Sequence, residues 1–331
     1  MVRKLLMTLA LALPCAGAAA QTNLGVAEDF NAFVFGNMNT TNGGESEGPI
    51  AVGGNWTTAT YNVNFKSGTA GYSAATVGST TNIGAYVAGN VLVSGSTQIT
   101  NNAYVGGSVS GNALQFQQGG TLNSGVNASI FSSAPYISQS NFLASLNAQA
   151  INTSDQNNLS IDLNTATQYG NFKVFSIPAS QLSANRTLSI LNFSAADTLL
   201  INITGGNVSD FGLQITGGNY NQILWNDSTA TSFNIDNRIF EGSLLAPNAA
   251  ITQSNVIEGN VVAASLTDSG GNELHFGSAN QFSGTLLSQT SNPTPEPGTV
   301  ALWAAGSVSF LMVRRRRSRT IRRTSFRNRK A

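Results

Sequence analysis

The chain has 331 residues, 9% of them charged, with 16 Lys and Arg against 15 Asp and Glu and a formal net charge of +1. That balance is segregated, because residues 21–292 hold four bases (Lys66, Lys173, Arg186 and Arg238) against fourteen acids, a net charge of −10. Such a body repels phosphate backbones, which argues against nucleic-acid binding. The lone Cys15 leaves no disulfide, and the lone His275 leaves no His-based triad or multi-His metal site.

The N-terminus reads as a secretory signal peptide over residues 1–20. Arg3 and Lys4 form its charged start, residues 5–13 its apolar stretch, and Ala18 to Ala20 a small-residue site for signal peptidase, with the cut between Ala20 and Gln21. Cys15 falls inside this discarded segment. The region 26–38 is ambiguous, since Phe30, Phe33 and Val34 suit a helix while Phe33 and Phe35 suit a strand.

Repeats then begin. IAVGGN at 50–55 returns as AYVAGN at 85–90 and as AYVGGS at 103–108. The second Gly falls at Gly54, Gly89 and Gly107, steps of 35 and 18, with Gly71 near the middle of the longer step. In the second half, FEGSL at 240–244 returns as IEGNV at 257–261, and FSGTL at 282–286 is a weaker copy. A period of about 17–18 residues, with short alternating strands and Gly at the corners, is the signature of a solenoid. The expected fold is all-β, a right-handed β-solenoid (β-helix) over residues 21–287, with a β-sandwich as the alternative. In such a stack Val87 meets Val105 and Leu244 meets Val261 as inward ladders. Corner Gly residues would supply positive φ, and corner Asn side chains would bond the neighbouring coil.

Within 135–150 (PYISQSNFLASLNAQA) the spacing of Ile137, Leu143, Leu146 and Ala150 predicts one amphipathic helix on the solenoid flank, starting at Ser133. Further strands are expected at 172–177, 187–191 and 199–203, with turns at Gly205-Gly206 and Gly217-Gly218. A polar linker over 288–294 leads to the C-terminus, which reads PTPEPG, then fifteen uncharged residues at 299–313, then ten cations starting with Arg314, Arg315, Arg316 and Arg317. At ~1.5 Å per residue the uncharged run covers roughly 22 Å of a ~30 Å hydrocarbon core, and the cations set its tail in the cytoplasm.

The order Pro295-Glu296-Pro297, short apolar span and Arg cluster resembles the PEP-CTERM sorting signal. That resemblance implies recognition by an exosortase-like processing enzyme, transient anchoring in the inner membrane, and delivery to the cell surface or the extracellular space. A second resemblance covers most of the body. FNAFVFG at 30–36, EGPIAVGGN at 47–55, ILWN at 223–226, GSLLAPNA at 242–249 and ELH at 273–275 look like the choice-of-anchor A domain. It implies no catalytic residues. The LLAPNAAI coil also resembles those of bacterial ice-binding solenoids.

Residues able to do chemistry are few. His275 is expected to cap the last coil by hydrogen bonding. The pairs Glu45/Glu47 and Glu241/Glu258 have the composition of glycosidase carboxylates, but Glu241 and Glu258 share one phase of successive coils and would stack as a solvated ladder or a weak Ca²⁺ site. Asn55-Trp56-Thr57 matches an N-glycosylation sequon at a rate that the Asn, Ser and Thr content explains. The expectation is therefore an exported structural or adhesive surface protein, not an enzyme, with no catalytic, cofactor or metal residues assigned. The alternative is a solenoid that binds ice or polysaccharide on a flat face, and an extracellular carbohydrate enzyme comes last.

Overall fold

Parallel pairing of short strands builds three faces around one interior. The computed structural model describes residues 21–287 apart from Gln156 and Ala184. The chain divides into two units, Met1–Ser288 and Gln289–Ala331, of which the second lies outside the described residues, as do the signal peptide, the span at 299–313 and the Arg-rich tail. Among the described residues no helix is long and apolar enough to cross a membrane.

The first face stacks Leu122–Asn123, Asn102–Val105, Thr80–Val87, Ile50–Val52 and Ala32–Val34 in that order. It continues through the first halves of Val261–Asp268 and Ser243–Gln253 to Ile223–Asn226, Thr198–Thr204 and Phe172–Pro178. The second face runs Val109–Gly111, Val91–Val93, Trp56–Thr58 and Met38–Thr40, then the second halves of the same two long strands, then Ser232–Ile235. The third runs Gln115–Gln117, Thr97–Thr100, Tyr61–Val63, Glu45–Ser46, Glu273–His275, Ile257–Glu258 and Phe240–Glu241. Strands at Leu213–Thr216, Arg186–Leu191 and Asn158–Asp162 pair among themselves as a further sheet. This is the expected β-solenoid, and the ladders Val87–Val105 and Leu244–Val261 form as the period requires.

Stacking order is not chain order. The chain starts in the middle of the stack at Ala32 and builds outward to Asn123. It resumes at the far end and returns, so that its last coil docks on its first, with Ala32 beside Val261 and Met38 beside Leu266. Two fully buried asparagines stitch this seam. Asn31 Nδ2 donates to the Gly259 and His275 carbonyls at 2.9 and 3.0 Å, while its Oδ1 accepts from Ser46 Oγ. Asn260 Nδ2 donates to the Glu28 and Phe30 carbonyls at 2.9 and 2.7 Å, and its Oδ1 accepts from the Phe282 N–H.

Alternation of side chains gives two cores. Ile50, Val52, Trp56, Val87, Val91, Ile99, Leu199, Trp225 and Leu244 point inward. Phe33, Ala51, Tyr86, Val262, Leu245, Leu224 and Leu200 point outward from the first face and are buried there with Leu24, Phe30, Leu143 and Phe282. The cover is partly the helix Ala134–Ser145, preceded by Ser133 as expected. Leu143 is buried, and so is Ser140, whose Oγ donates to Asn226 Oδ1 at 2.6 Å; Asn202 Nδ2 donates to the Leu143 carbonyl at 2.8 Å. The helix stops earlier than the spacing predicts, because Gln149–Ala150 pairs as a strand with Phe175 and Ser176.

Other expectations change. Gly71 does not mark a hidden coil, since Ile50–Val52 pairs directly with Ala85 to Val87, and residues 64–82 are an insertion. FSGTL is no coil either, because Phe282 packs in the outer core and Leu286–Leu287 pairs antiparallel with Gln21–Thr22. The ambiguous 26–38 stretch contains the 3-10 turn Gly25–Asp29 and the strand Ala32–Val34. Gly205, Gly206, Gly217 and Gly218 have positive φ, as their turns require, whereas Gly54, Gly89 and Gly107 do not. Those corners need Gly because coils touch there. A Cβ on Gly89 would lie 2.4 Å from the Gly54 carbonyl oxygen, and one on Gly107 would lie 2.5 Å from Asn90 Oδ1.

Two stability outcomes follow from these contacts. Gly89→Ala should destabilise by ~1–3 kcal/mol in denaturant titration, while Ser110→Ala on the surface should stay within about 0.5 kcal/mol. Asn260→Ala, which strips buried carbonyls of their donor, should cost ~1–3 kcal/mol.

Candidate functional site

Of the three faces, the second is the one that no other described element covers, and its outward residues are exposed or half-buried. The outer side of the first is covered by the helix and the N-terminal turn. The third carries ionised groups and the 64–82 insertion. Along the second face, each short strand, and the second half of each long one, turns one side chain outward at a matching position. These form the row Ser110, Leu92, Thr57, Asn39, Thr267, Thr252, Asn234, in strict register. Two residues earlier in sequence a corner row runs Ser108, Asn90, Asn55, Asn37, Ser265, Ala250, Ser232, the first four just before their strands begin. Its register is set by the N–H groups of Val91, Trp56, Met38 and Leu266, which donate to the carbonyls of Ser108, Asn90, Asn55 and Asn37.

The corner row is fixed by its own side chains. Asn37 Oδ1 accepts from the Asn55 N–H at 2.8 Å, Asn55 Oδ1 from the Asn90 N–H at 2.8 Å, and Asn90 Oδ1 from the Ser108 N–H at 2.9 Å. This is the expected bonding of corner Asn to the next coil, with the backbone as donor. Spacing follows from strand geometry, roughly 4.8 Å between strands and about 6.7 Å between rows. Neither row holds a charged residue. Thr side chains are β-branched and restricted at χ1, which limits the positions open to their hydroxyls. Leu92, 48% exposed, is the one large apolar member. The sequence signal for this lattice was present in Asn37-x-Asn39, Asn55-x-Thr57, Asn90-x-Leu92 and Ser108-x-Ser110. Asn55-Trp56-Thr57 is thus part of a repeated outward pattern.

The residues singled out for chemistry lie on the third face. Glu241, Glu258 and His275 stack on successive coils, as the shared phase predicts. His275 does not cap an end of the stack, because its strand pairs onward with Glu45–Ser46. Its Nδ1 lies 2.9 Å from Glu258 Oε1 and its Nε2 2.7 Å from Glu273 Oε2. Serving two carboxylates requires both ring nitrogens to donate, hence the imidazolium. The hydrogen bond to Glu258, reinforced by Glu273, raises its pKa from 6.5 to about 9. Glu241 accepts from the Ile215 N–H and the Tyr220 hydroxyl, and burial raises its pKa. Glu47 pairs with Lys66 at 3.2 Å and accepts from the Phe276 N–H and the Tyr72 hydroxyl. Glu258 Oε2 accepts from Asn280. Every member of this column is engaged internally. Among the described residues no group of three His, Cys, Asp or Glu could hold a metal ion. Pro295, Glu296, Pro297, Arg314 to Arg317 and Ala20 lie outside the described residues, and so does the structural setting of the Ala20–Gln21 cut.

The raised value of His275 has a definite sign. Its stabilisation is complete below its unfolded pKa of 6.5, fades between 6.5 and about 9, and is absent above. Thermal melting of the wild type should therefore fall across that window relative to His275→Gln, which should show a flatter profile.

The family model described as "Putative Ice-binding-like adhesive domain" matches residues 23–276. No curated protein matches the sequence. Among solved structures, an ice-binding protein from the Antarctic ascomycete Antarctomyces psychrotrophicus aligns at 15% identity, covering 77% of this chain and 98% of that one, with a TM-score of 0.37. The Shewanella frigidimarina ice-binding protein 1 domain aligns at 13% over 77% and 97%, with a TM-score of 0.39. A glycosylated ice-binding protein from an Arctic yeast aligns at 12% over 76% and 93%, with a TM-score of 0.35. At such TM-scores the fold rests on the strand pairing above and not on these likenesses. The family match overturns the resemblance to the choice-of-anchor A domain and supplies nothing for a PEP-CTERM signal, since it ends before residue 277. The match spans well over half of the sequence, and the chain belongs to the ice-binding-like adhesive domain family.

Proposed function

We propose that the domain is an ice-binding adhesive module, displayed outside the cell, whose second face is the binding surface. The observation that carries this reading is the charge-free, two-row lattice across seven strands, with Ser, Thr or Asn at every position but Leu92 and Ala250, on the face that no described residue covers. A rigid periodic array of small hydroxyl and amide groups holds first-layer water at fixed spacing, and ordered water bridges two surfaces at little cost. A soluble ligand would instead be held in a concave pocket by convergent groups, which this face lacks. Family membership supports the same reading. An extracellular or surface location agrees with the signal-like N-terminus and with a body that contains no cysteine. The role is binding and not catalysis, because Glu258 and Glu273 are held by His275, Glu241 by Ile215 and Tyr220, and Glu47 by Lys66 and Phe276.

The test places a bulky side chain on the lattice. Thr57→Tyr, Thr252→Tyr and Thr267→Tyr should each abolish most thermal hysteresis and ice-surface adsorption, with melting temperature preserved. Gln98→Tyr on the third face should leave both intact. Equal activity in all four variants, or binding to polysaccharide with none to ice, would overturn the assignment.

A further inference from the structure

The two ends of the stack differ. At one end lies the coil formed by Val109–Gly111, Gln115–Gln117 and Leu122–Asn123, each strand pairing with the body on one side only. Its inward positions are Val109 over Val91, Phe116 over Ile99 and Leu122 over Ala103. The residues beneath are fully buried, yet Val109 and Phe116 are only half-buried and Leu122 is 49% exposed. Side chains aimed at the interior thus meet solvent, and no described residue closes over them. The opposite end is closed. Leu159 and Ile161 on the outermost strand Asn158–Asp162 are 0% and 2% exposed, with Ile151 and Leu163 buried in the same core. Thr167–Tyr169 folds back antiparallel on Phe172, and Asn152 bridges antiparallel to Ser160.

An exposed strand edge recruits other strands unless charges, Pro or bulges blunt it. This edge has none of these. Residues 67–154 contain no Asp, Glu, Lys, Arg or His, and no Pro falls between Pro49 and Pro135. We propose that the domain pairs end to end with a second copy of itself through this open coil. A second copy suits the surface because the edge is self-complementary, with unpaired backbone and apolar side chains that meet their own kind without like-charge contact. The body carries a net charge of −10, so two copies repel one another everywhere except where both are neutral. Around a two-fold axis normal to the stack, strands of the two copies run antiparallel, and Val109, Phe116 and Leu122 of each share one apolar layer. With one end open and the other closed, the association stops at a closed pair and makes no fibre.

Sedimentation velocity of the full-length protein over a concentration series should show a reversible dimer. Phe116→Lys combined with Leu122→Lys should raise its dissociation constant roughly tenfold or more, because these are the interface's buried anchors, while Gln98→Lys should leave it unchanged. Should the double variant fail to fold, amide exchange on the unmodified protein decides, with slowing over 109–117 only as concentration rises. A monomer at every concentration, or a dimer that survives both lysines, overturns the proposal. So does protection of 109–117 that is independent of concentration, which would mean that the end is covered within one chain.

Discussion

The seam between the last coil and the first is the contact on which the other features rest. Without it each half is a short stack with a bare edge at Ala32–Val34 or at Val261–Asp268. Hydrophobic ladders alone do not fix its register, since Val, Ile and Ala recur at every coil and a slip by one coil would bury similar area. Asn31 and Asn260 discriminate. Each is fully buried, so a shifted register would leave its amide and the carbonyls it serves without partners, at ~1–3 kcal/mol per group. Polar groups thus specify the docking that apolar burial drives.

The seam also makes the proposed binding face whole. Thr267 and Thr252 come from the returning half and Asn39 and Thr57 from the outgoing half, yet they are consecutive in one row. Parallel register keeps it continuous, because each strand, or the second half of each long one, contributes one residue to it. The third face follows a different logic. There the same stacking sets Glu241, Glu258 and His275 in a column, and the cation next to Glu258 offsets the repulsion that stacked carboxylates would otherwise suffer.

Much of this was legible where the cause is local. The recurrence of Gly54, Gly89 and Gly107 reflects direct coil-on-coil contact, and the shared phase of Glu241 and Glu258 follows from a single 17-residue coil. What was not legible is long-range. Nothing near Gly71 tells that the chain leaves the stack for residues 64–82, because an insertion keeps the same Gly- and Ser-rich composition. The helix stripe misled at Ser140, which is buried by its bond to Asn226, 86 residues away. Which face stays bare depends on where the helix lies, and that is set by Asn202 and Asn226 on returning strands. The family resemblance failed for a related reason. Motifs such as GSLLAPNA report a strand that turns from one solenoid face to the next, which is a property of the fold.

The mid-stack position of the first coil bears on how the chain is made. As synthesis proceeds, residues 32–123 can stack on one another by contacts between near neighbours in sequence. The opposite edge of Ala32–Val34 must wait until residue 261 has been added. Closing a loop of that length carries an entropy cost that grows only slowly with length, but pairings this distant are slow to form. Throughout that interval the nascent chain exposes the parallel strand edge Ala32–Val34, open to mispairing. Coil stacking and final closure are therefore separate kinetic events, and closure is the step at which a folding helper or a cold environment would exert its influence.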